Sequence, residues 1–113
     1  MKFTTWNVNS INARIDHLIK FIKVDQSDVY LLQELKCIEE KFPKQEILKL
    51  GYKSYVNGQK AWNGVAFLSK KPLNILNNNI PTFKEDDNAR FLEAEIILEK
   101  LNKKIRLINI YLP

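Results

Sequence analysis

Asp28-Val29-Tyr30-Leu31-Leu32-Gln33-Glu34-Leu35-Lys36 is the stretch whose reading decides the fold. Residues 29–32 are apolar at consecutive positions, so both faces of an extended chain would be apolar there. Such a strand suits the middle of a layered fold. Upstream, Ile11, Ile15, Leu18, Ile19 and Ile22 recur at helical spacing. They predict an amphipathic helix over residues 11–25, with Ser10 as its cap. Residues 2–9 are rich in aromatic and β-branched side chains and predict a buried strand. Downstream, a shorter helix is predicted over 43–50, with Pro43 in its first turn and Gly51 at its stop. Strands follow at 52–56, 64–69 and 73–76, with Asn57-Gly58 as a hairpin-turn signal between two of them. Asn77-Asn78-Asn79 and residues 83–88 read as loops. Residues 90–98 and 104–112 read as a closing hairpin that turns near Asn102. The order β-α-β-α followed by strands predicts an α+β (α/β layered) fold: one mixed sheet with two helices on one face.

The chain has 113 residues, of which 45% are hydrophobic. That is enough for one small domain with a core and too little for two. No apolar run approaches the ~18 residues of a membrane-spanning helix, so no membrane partner is expected. The first residues, Met1-Lys2-Phe3-Thr4-Thr5-Trp6-Asn7, lack the apolar core of a secretory signal. The one cysteine, Cys37, excludes a disulfide scaffold. It fits a reducing, cytoplasmic location. The net charge of +5 suits a polyanion such as nucleic acid. Lysine supplies 15 of the 18 basic residues, however, and Asn and Ile are abundant too, a bias that an A- and T-rich genome produces whatever the function.

Three polar clusters close apolar strands, where layered α/β proteins tend to place their sites. In Asn7-Val8-Asn9 the period of two puts both amides on one face. Gln33-Glu34-Leu35-Lys36 ends the buried strand with an amide, a carboxylate and a cation. Asn109-Ile110-Tyr111 again sets two polar groups on one strand face. Oxygen ligands from Glu and Asn suit a hard cation such as Mg²⁺. Each cluster alone also has a plain structural use, as turn, solvated strand end or packing. His17 reads as a helix-face residue, Cys37 as a partly buried thiol, and Asp86-Asp87 as solvated surface.

Trp-Asn-Val-Asn-Ser at 6–10, Leu-Leu-Gln-Glu-Leu-Lys at 31–36, Gly-Gln-Lys at 58–60, Gly-Val-Ala at 64–66 and Asn-Ile-Tyr-Leu-Pro at 109–113 occur in order. Together they resemble the exodeoxyribonuclease III and abasic-site endonuclease branch of the endonuclease/exonuclease/phosphatase superfamily. The resemblance covers the whole chain but only the N-terminal half of a family member. It implies about half of a four-layer α/β-sandwich, with residues 1–113 ending at the strand that carries Tyr111. It implies a DNA-repair phosphodiesterase that uses Mg²⁺, or alternatively Mn²⁺, on double-stranded DNA with abasic sites or 3′-blocked ends. Carried over residue by residue, it makes Glu34 a metal ligand and catalytic carboxylate, with Asn7 and Asn9 at the metal. It makes Tyr111 the catalytic tyrosine at the phosphate, and Arg90, Lys36 and Asn109 substrate-binding residues. The family's water-orienting Asp-x-Asn motif and its C-terminal Ser-Asp-His motif are expected beyond Pro113. Without them the chain reads as inactive alone, and the alternative is a non-catalytic remnant or weak DNA-binding module.

The sequence closes on an apolar strand at 108–113, where a frayed polar segment is commoner. The predicted helices cover one face of the sheet. The other face is expected to meet a second sheet that this chain lacks. A bare face of ~600 Å² would forgo roughly 15 kcal/mol of burial, so self-association through that uncovered sheet face is expected.

Overall fold

The computed structural model describes residues 1–80 and 87–113. In chain order it forms β1 (Phe3–Asn7), α1 (Ile15–Asp25), β2 (Val29–Gln33), a 3₁₀ turn (Glu39–Lys41), α2 (Lys44–Leu48), β3 (Lys53–Asn57) and β4 (Val65–Ser69). There follow β5 (Asn74–Asn77), β6 (Phe91–Leu98), a second 3₁₀ turn (Glu99–Leu101) and β7 (Lys103–Ile110). The expected loop at 83–88 lies outside the described residues as far as Asp86.

The central strand is as its apolar run predicted. β2 pairs with β1 in parallel and with β4 antiparallel, giving a mixed sheet in the order β1-β2-β4-β3. Its alternate side chains go opposite ways. Tyr30 and Leu32 join Leu18 and Ile22 of α1 and Ile47 of α2 in one core. Val29 turns the other way, with Val65 and Phe67 of β4, into a second core. Both helices therefore lie on one face, as expected, and each fully buried aliphatic side chain there contributes roughly 1.5–3 kcal/mol.

The single sheet expected from the sequence is corrected to two. β5, β6 and β7 form a separate antiparallel sheet in that order. Its Leu92, Ala94 and Ile96 pack on Val29, Val65 and Phe67, with Ile105 and Leu107 beside them. The second face of the mixed sheet is therefore partly covered by this chain's own residues. The reason is the period of two: β6 and β7 each have an apolar inner row, and only burial against another sheet uses it. The open apolar surface moves one layer outward. Ile97 of β6 and Ile108 and Ile110 of β7 stand about half exposed on the outer side. Arg106 pairs there with Glu93 at 3.1 Å.

Local differences have local causes. Ser10 does not cap α1: it adopts a left-handed φ of 78°, and the helix starts at Ile15 after a turn. Asn57-Gly58 is not a two-residue hairpin turn, because the β3–β4 connection spans residues 58–64. The Asn57 amide instead donates to the Phe91 carbonyl at 2.9 Å, tying β3 to the second sheet. At the far end of the mixed sheet Asp25 accepts from Ser27 and Tyr30, and Tyr52 donates to the Ser27 carbonyl. Lys2, Ser27 and Tyr30 together hold the Asp25 carboxyl well below the usual carboxylate range.

A second polar side chain joins the two sheets, this one fully buried in the core. Asn109 is 1% exposed. Its amide nitrogen donates to the carbonyls of Leu32 (3.0 Å) and Ala66 (2.8 Å), and its oxygen accepts from the Gln33 amide at 2.8 Å. Replacing it by Leu removes all three bonds, although the Gln33 amide keeps Thr5 and Leu31 as partners. Asn109→Leu is expected to cost about 3 kcal/mol in urea unfolding; a loss under ~0.5 kcal/mol would show that the amide is not what fastens the sheets.

Candidate active site at the strand ends

β1 and β2 are parallel, so their C-terminal ends lie side by side. The polar clusters of the sequence begin there. β2 stops because Glu34 and Lys36 both take left-handed φ values of 56°, flanking a fully buried Leu35. Backbone bonds grip this segment from two sides. Ser10 N–H donates to the Glu34 carbonyl at 2.8 Å and Ile11 N–H to that of Leu35 at 3.1 Å. From the other side, Leu35 N–H donates to the Gly64 carbonyl and Lys36 N–H to that of Asn63. Gly64 has φ of 96°, and a Cβ there would come within 2.8 Å of Leu35, so only glycine fits that approach.

The result is a fixed carboxylate. Glu34 Oε1 accepts from the Tyr111 hydroxyl at 2.6 Å and from the Asn7 amide at 3.3 Å. Lys36 Nζ lies 3.6 Å from Glu34 Oε2, and the Glu34 side chain is 20% exposed. The Tyr111 bond, then the Asn7 bond and the Lys36 charge, hold the Glu34 carboxyl below the ordinary range. In return, hydrogen bonding to that carboxylate raises the Tyr111 phenol. Arg90 is set beside Tyr111 by the backbone: Tyr111 N–H donates to the Arg90 carbonyl at 2.8 Å. Glu34, Lys36, Arg90 and Tyr111 line one surface depression.

Six of the seven residues singled out from the sequence thus gather at this end of the fold. Asn109 is the exception. It points inward and is consumed by three interior hydrogen bonds, so it cannot face a substrate; it positions the strand that delivers Tyr111. The shared-face expectation for Asn7 and Asn9 is also corrected. β1 ends at Asn7, and Asn9 turns left-handed with φ of 45°. The two meet because the Asn9 N–H donates to the Asn7 side-chain oxygen at 3.1 Å.

Five lining residues, Pro113 among them, were not singled out from the sequence. Gln59 Oε1 accepts from Ala89 N–H at 2.7 Å and from the Asn63 amide at 2.9 Å. The Asn63 oxygen accepts from Arg90 Nε at 3.4 Å. Trp62 and Asn88 complete that side of the depression. The signal for Gln59 was present in Gly-Gln-Lys; a loop asparagine such as Asn63 carries none. Asp86-Asp87-Asn88 has the Asp-x-Asn spelling, contrary to the expectation that it lies only beyond Pro113. Asp86 falls outside the described residues, and Asp87 is exposed.

The donor set decides which metal could bind. Among the described residues no three His, Cys, Asp or Glu side chains cluster. The Glu34 carboxylate fits the small protein share that Mg²⁺ needs, since it keeps several waters and takes phosphate oxygens. Asn7 would join it only on turning its amide, whose nitrogen faces Glu34 and whose oxygen accepts from Asn9 N–H. Asn9 fits less well, because its side-chain oxygen is held by the Lys36 ammonium at 2.7 Å.

A helix layer over a mixed sheet over a second sheet, with a carboxylate, a phenol and cations at the strand ends, is an architecture with solved counterparts. A 3′ phosphatase from Neisseria bound to a product DNA hairpin superimposes with a TM-score of 0.87 at 33% identity, over 98% of this chain and 41% of that one. An AP endonuclease from Archaeoglobus fulgidus does so with a TM-score of 0.76 at 31% identity, over 85% and 37%. The Haemophilus influenzae protein "Exodeoxyribonuclease III" is 37% identical over all of this chain and 42% of its own length. The chain belongs to the Endonuclease/Exonuclease/phosphatase family, whose profile matches residues 4–104. It spans about two-fifths of the length of these relatives.

Because Glu34 is lowered chiefly by Tyr111, its contacts add stability above the unfolded carboxylate value, and that stability is lost as pH falls through the lower folded value. An NMR titration of the Glu34 carboxyl is expected to give a midpoint below 4.5, and Tyr111→Phe is expected to move it upward. An unmoved midpoint in the variant would take Tyr111 out of the carboxylate's environment.

Proposed function

We propose that this chain is the N-terminal part of a DNA-repair phosphodiesterase of the exodeoxyribonuclease III type, acting as an abasic-site endonuclease and 3′–5′ exonuclease. The observation that carries the proposal is the Glu34 carboxylate held ionised by Tyr111, Asn7 and Lys36 beside Arg90. The DNA-bound Neisseria relative and the exodeoxyribonuclease III likeness support DNA as the substrate class.

The chemistry follows from charge. A phosphodiester is anionic and repels a nucleophile, so cations and donors must surround it. Mg²⁺, or Mn²⁺ in its place, would be held by Glu34, with the Asn7 oxygen joining once that amide turns, and when bound it supplies charge neutralisation at a phosphate oxygen. Arg90 donates to a second phosphate oxygen. Tyr111 donates its hydroxyl, which turns from Glu34 to the phosphate as the carboxylate takes up its role. Lys36 offsets the carboxylate and keeps Asn9 in place. The water still needs an orienting base, and among the described residues lining the depression Glu34 is the one carboxylate. The chain alone is therefore proposed to be inactive, with the remaining groups in the part of the relatives it does not span; a non-catalytic DNA-binding remnant is the alternative. We also propose a cytoplasmic location, with which the free, buried Cys37 thiol is compatible.

In the full-length protein or a reconstituted split form, Glu34→Ala and Tyr111→Phe are each expected to lower kcat on an abasic-site duplex by about 10²-fold or more. Normal turnover in either variant removes that residue from the mechanism. Residues 1–113 on their own should not cleave that duplex above background.

For the chain on its own we also propose self-association through the outer side of β6 and β7, where Ile97, Ile108 and Ile110 are exposed. Among the described residues β7 is also an edge strand, with a row of backbone groups that no further strand pairs. Sedimentation velocity is expected to show dimers or larger species, reduced by Ile108→Lys. A monodisperse monomer that binds no apolar-surface dye would overturn this.

A further inference from the structure

We propose that Trp62 is a specificity-determining residue that stacks on an unpaired base next to the phosphate held by Arg90 and Tyr111. The inference rests on the reading of the depression as a DNA phosphodiester site and adds to it which DNA is preferred.

The two tryptophans are treated oppositely. Trp6 packs edge-on against Phe21 at 5.4 Å between ring centres. Trp62 is 69% exposed and lines the depression beside Arg90 and Tyr111. A single exposed apolar side chain is ordinary. This one, however, sits on a loop fastened at both ends. A Cβ on Gly58 would come within 2.4 Å of the Cys37 carbonyl, so the loop starts pressed on the 33–39 segment. It ends with Gly64 N–H donating to the Ala89 carbonyl at 2.7 Å, and Gln59 reaches Ala89 N–H from the other strand of the loop. Ala61 and Asn63, on either side of Trp62, both hold left-handed φ values, 67° and 53°. Residues with a Cβ keep such values where the surroundings over-determine them. The indole is thus held outward rather than left over.

Its neighbours say what it faces. Lys36 and Arg90 are positive, and the one carboxylate among the described residues lining the depression, Glu34, is already bonded by Tyr111 and Asn7 and faced by Lys36. A flat apolar ring beside a cationic phosphate seat matches a nucleotide, which carries a flat base beside each phosphate. Stacking is open to every base but requires a free face. In a continuous duplex each base face is occupied by its neighbours. Trp62 therefore selects strand ends, gaps and lesions, where a base next to the cleaved bond is unpaired.

The test uses chelator to prevent cleavage, the full-length protein, and two duplexes with identical unpaired 3′ tails, one tail carrying bases and the other baseless sugars. In a Trp6→Phe variant Trp62 is the fluorophore of this region. Its emission is expected to be quenched by the tail with bases and left unchanged by the baseless one. Trp62→Ala is expected to weaken binding of the tail with bases about tenfold or more and to leave the baseless duplex unaffected. Trp62→Tyr should restore most of the loss. Unchanged Trp6 emission in Trp62→Ala reports an intact fold. Equal quenching by both tails, or an unchanged Kd in Trp62→Ala, overturns the stacking role while the DNA reading stands. Failure to bind either duplex overturns both.

Discussion

The buried Asn109 amide is what the rest of this structure depends on. Two sheets packed face to face through apolar side chains alone can slide, because dispersion and burial have little directionality. Asn109 removes that freedom. Its three hydrogen bonds reach Leu32 and Gln33 on β2 and Ala66 on β4. In a dry interior such a bond is strong when made and costly when broken, so the second sheet has one register on the first. Tyr111 follows two residues later on the same side of the chain, and its hydroxyl lands 2.6 Å from Glu34. The position of a core amide thus sets the geometry of a surface site.

The site itself is built from backbone conformations that side chains tolerate poorly. Asn9, Ser10, Glu34, Lys36, Ala61 and Asn63 all have positive φ, and they lie in the three segments that meet at the strand ends. Each costs free energy in isolation. They persist because their peptide groups bond one another across segments, as Lys36 does with Asn63 and Ser10 with Glu34. Sharp reversals of this kind let a strand end in a side chain that projects sideways. Glu34 meets Tyr111 and Lys36 rather than open solvent.

Electrostatically the site is nearly balanced before any ligand enters. One carboxylate is set against Lys36 and Arg90, and the phenol and amides supply dipoles. That leaves a modest positive excess at the depression, which suits a phosphate better than a bare metal ion. A hard cation would then be held jointly by the protein's few oxygens and those of the phosphate itself.

Much of this was legible in the residues. The apolar run at 29–32 determined a strand covered on both faces, because alternate side chains must go opposite ways whatever surrounds them. The spacing of Ile15, Leu18 and Ile22 determined α1 and its buried side for the same local reason. Glu34, Lys36 and Tyr111 were identifiable as a set because their motifs stand in a recognisable order, and Arg90, which lies in none of those motifs, came only with the family resemblance. Tertiary structure alone decided three things. It split the later strands into a second sheet, since period-two patterning does not say which sheet an inner row faces. It turned Asn109 from a surface group into an interior clamp, since an amide after a strand reads the same whether its partners are water or distant carbonyls. It brought Trp62 and Asn63 to Arg90, since the fastening of the 58–64 loop lies in contacts with residues 35–37 and 89, far apart in the chain and near only after folding.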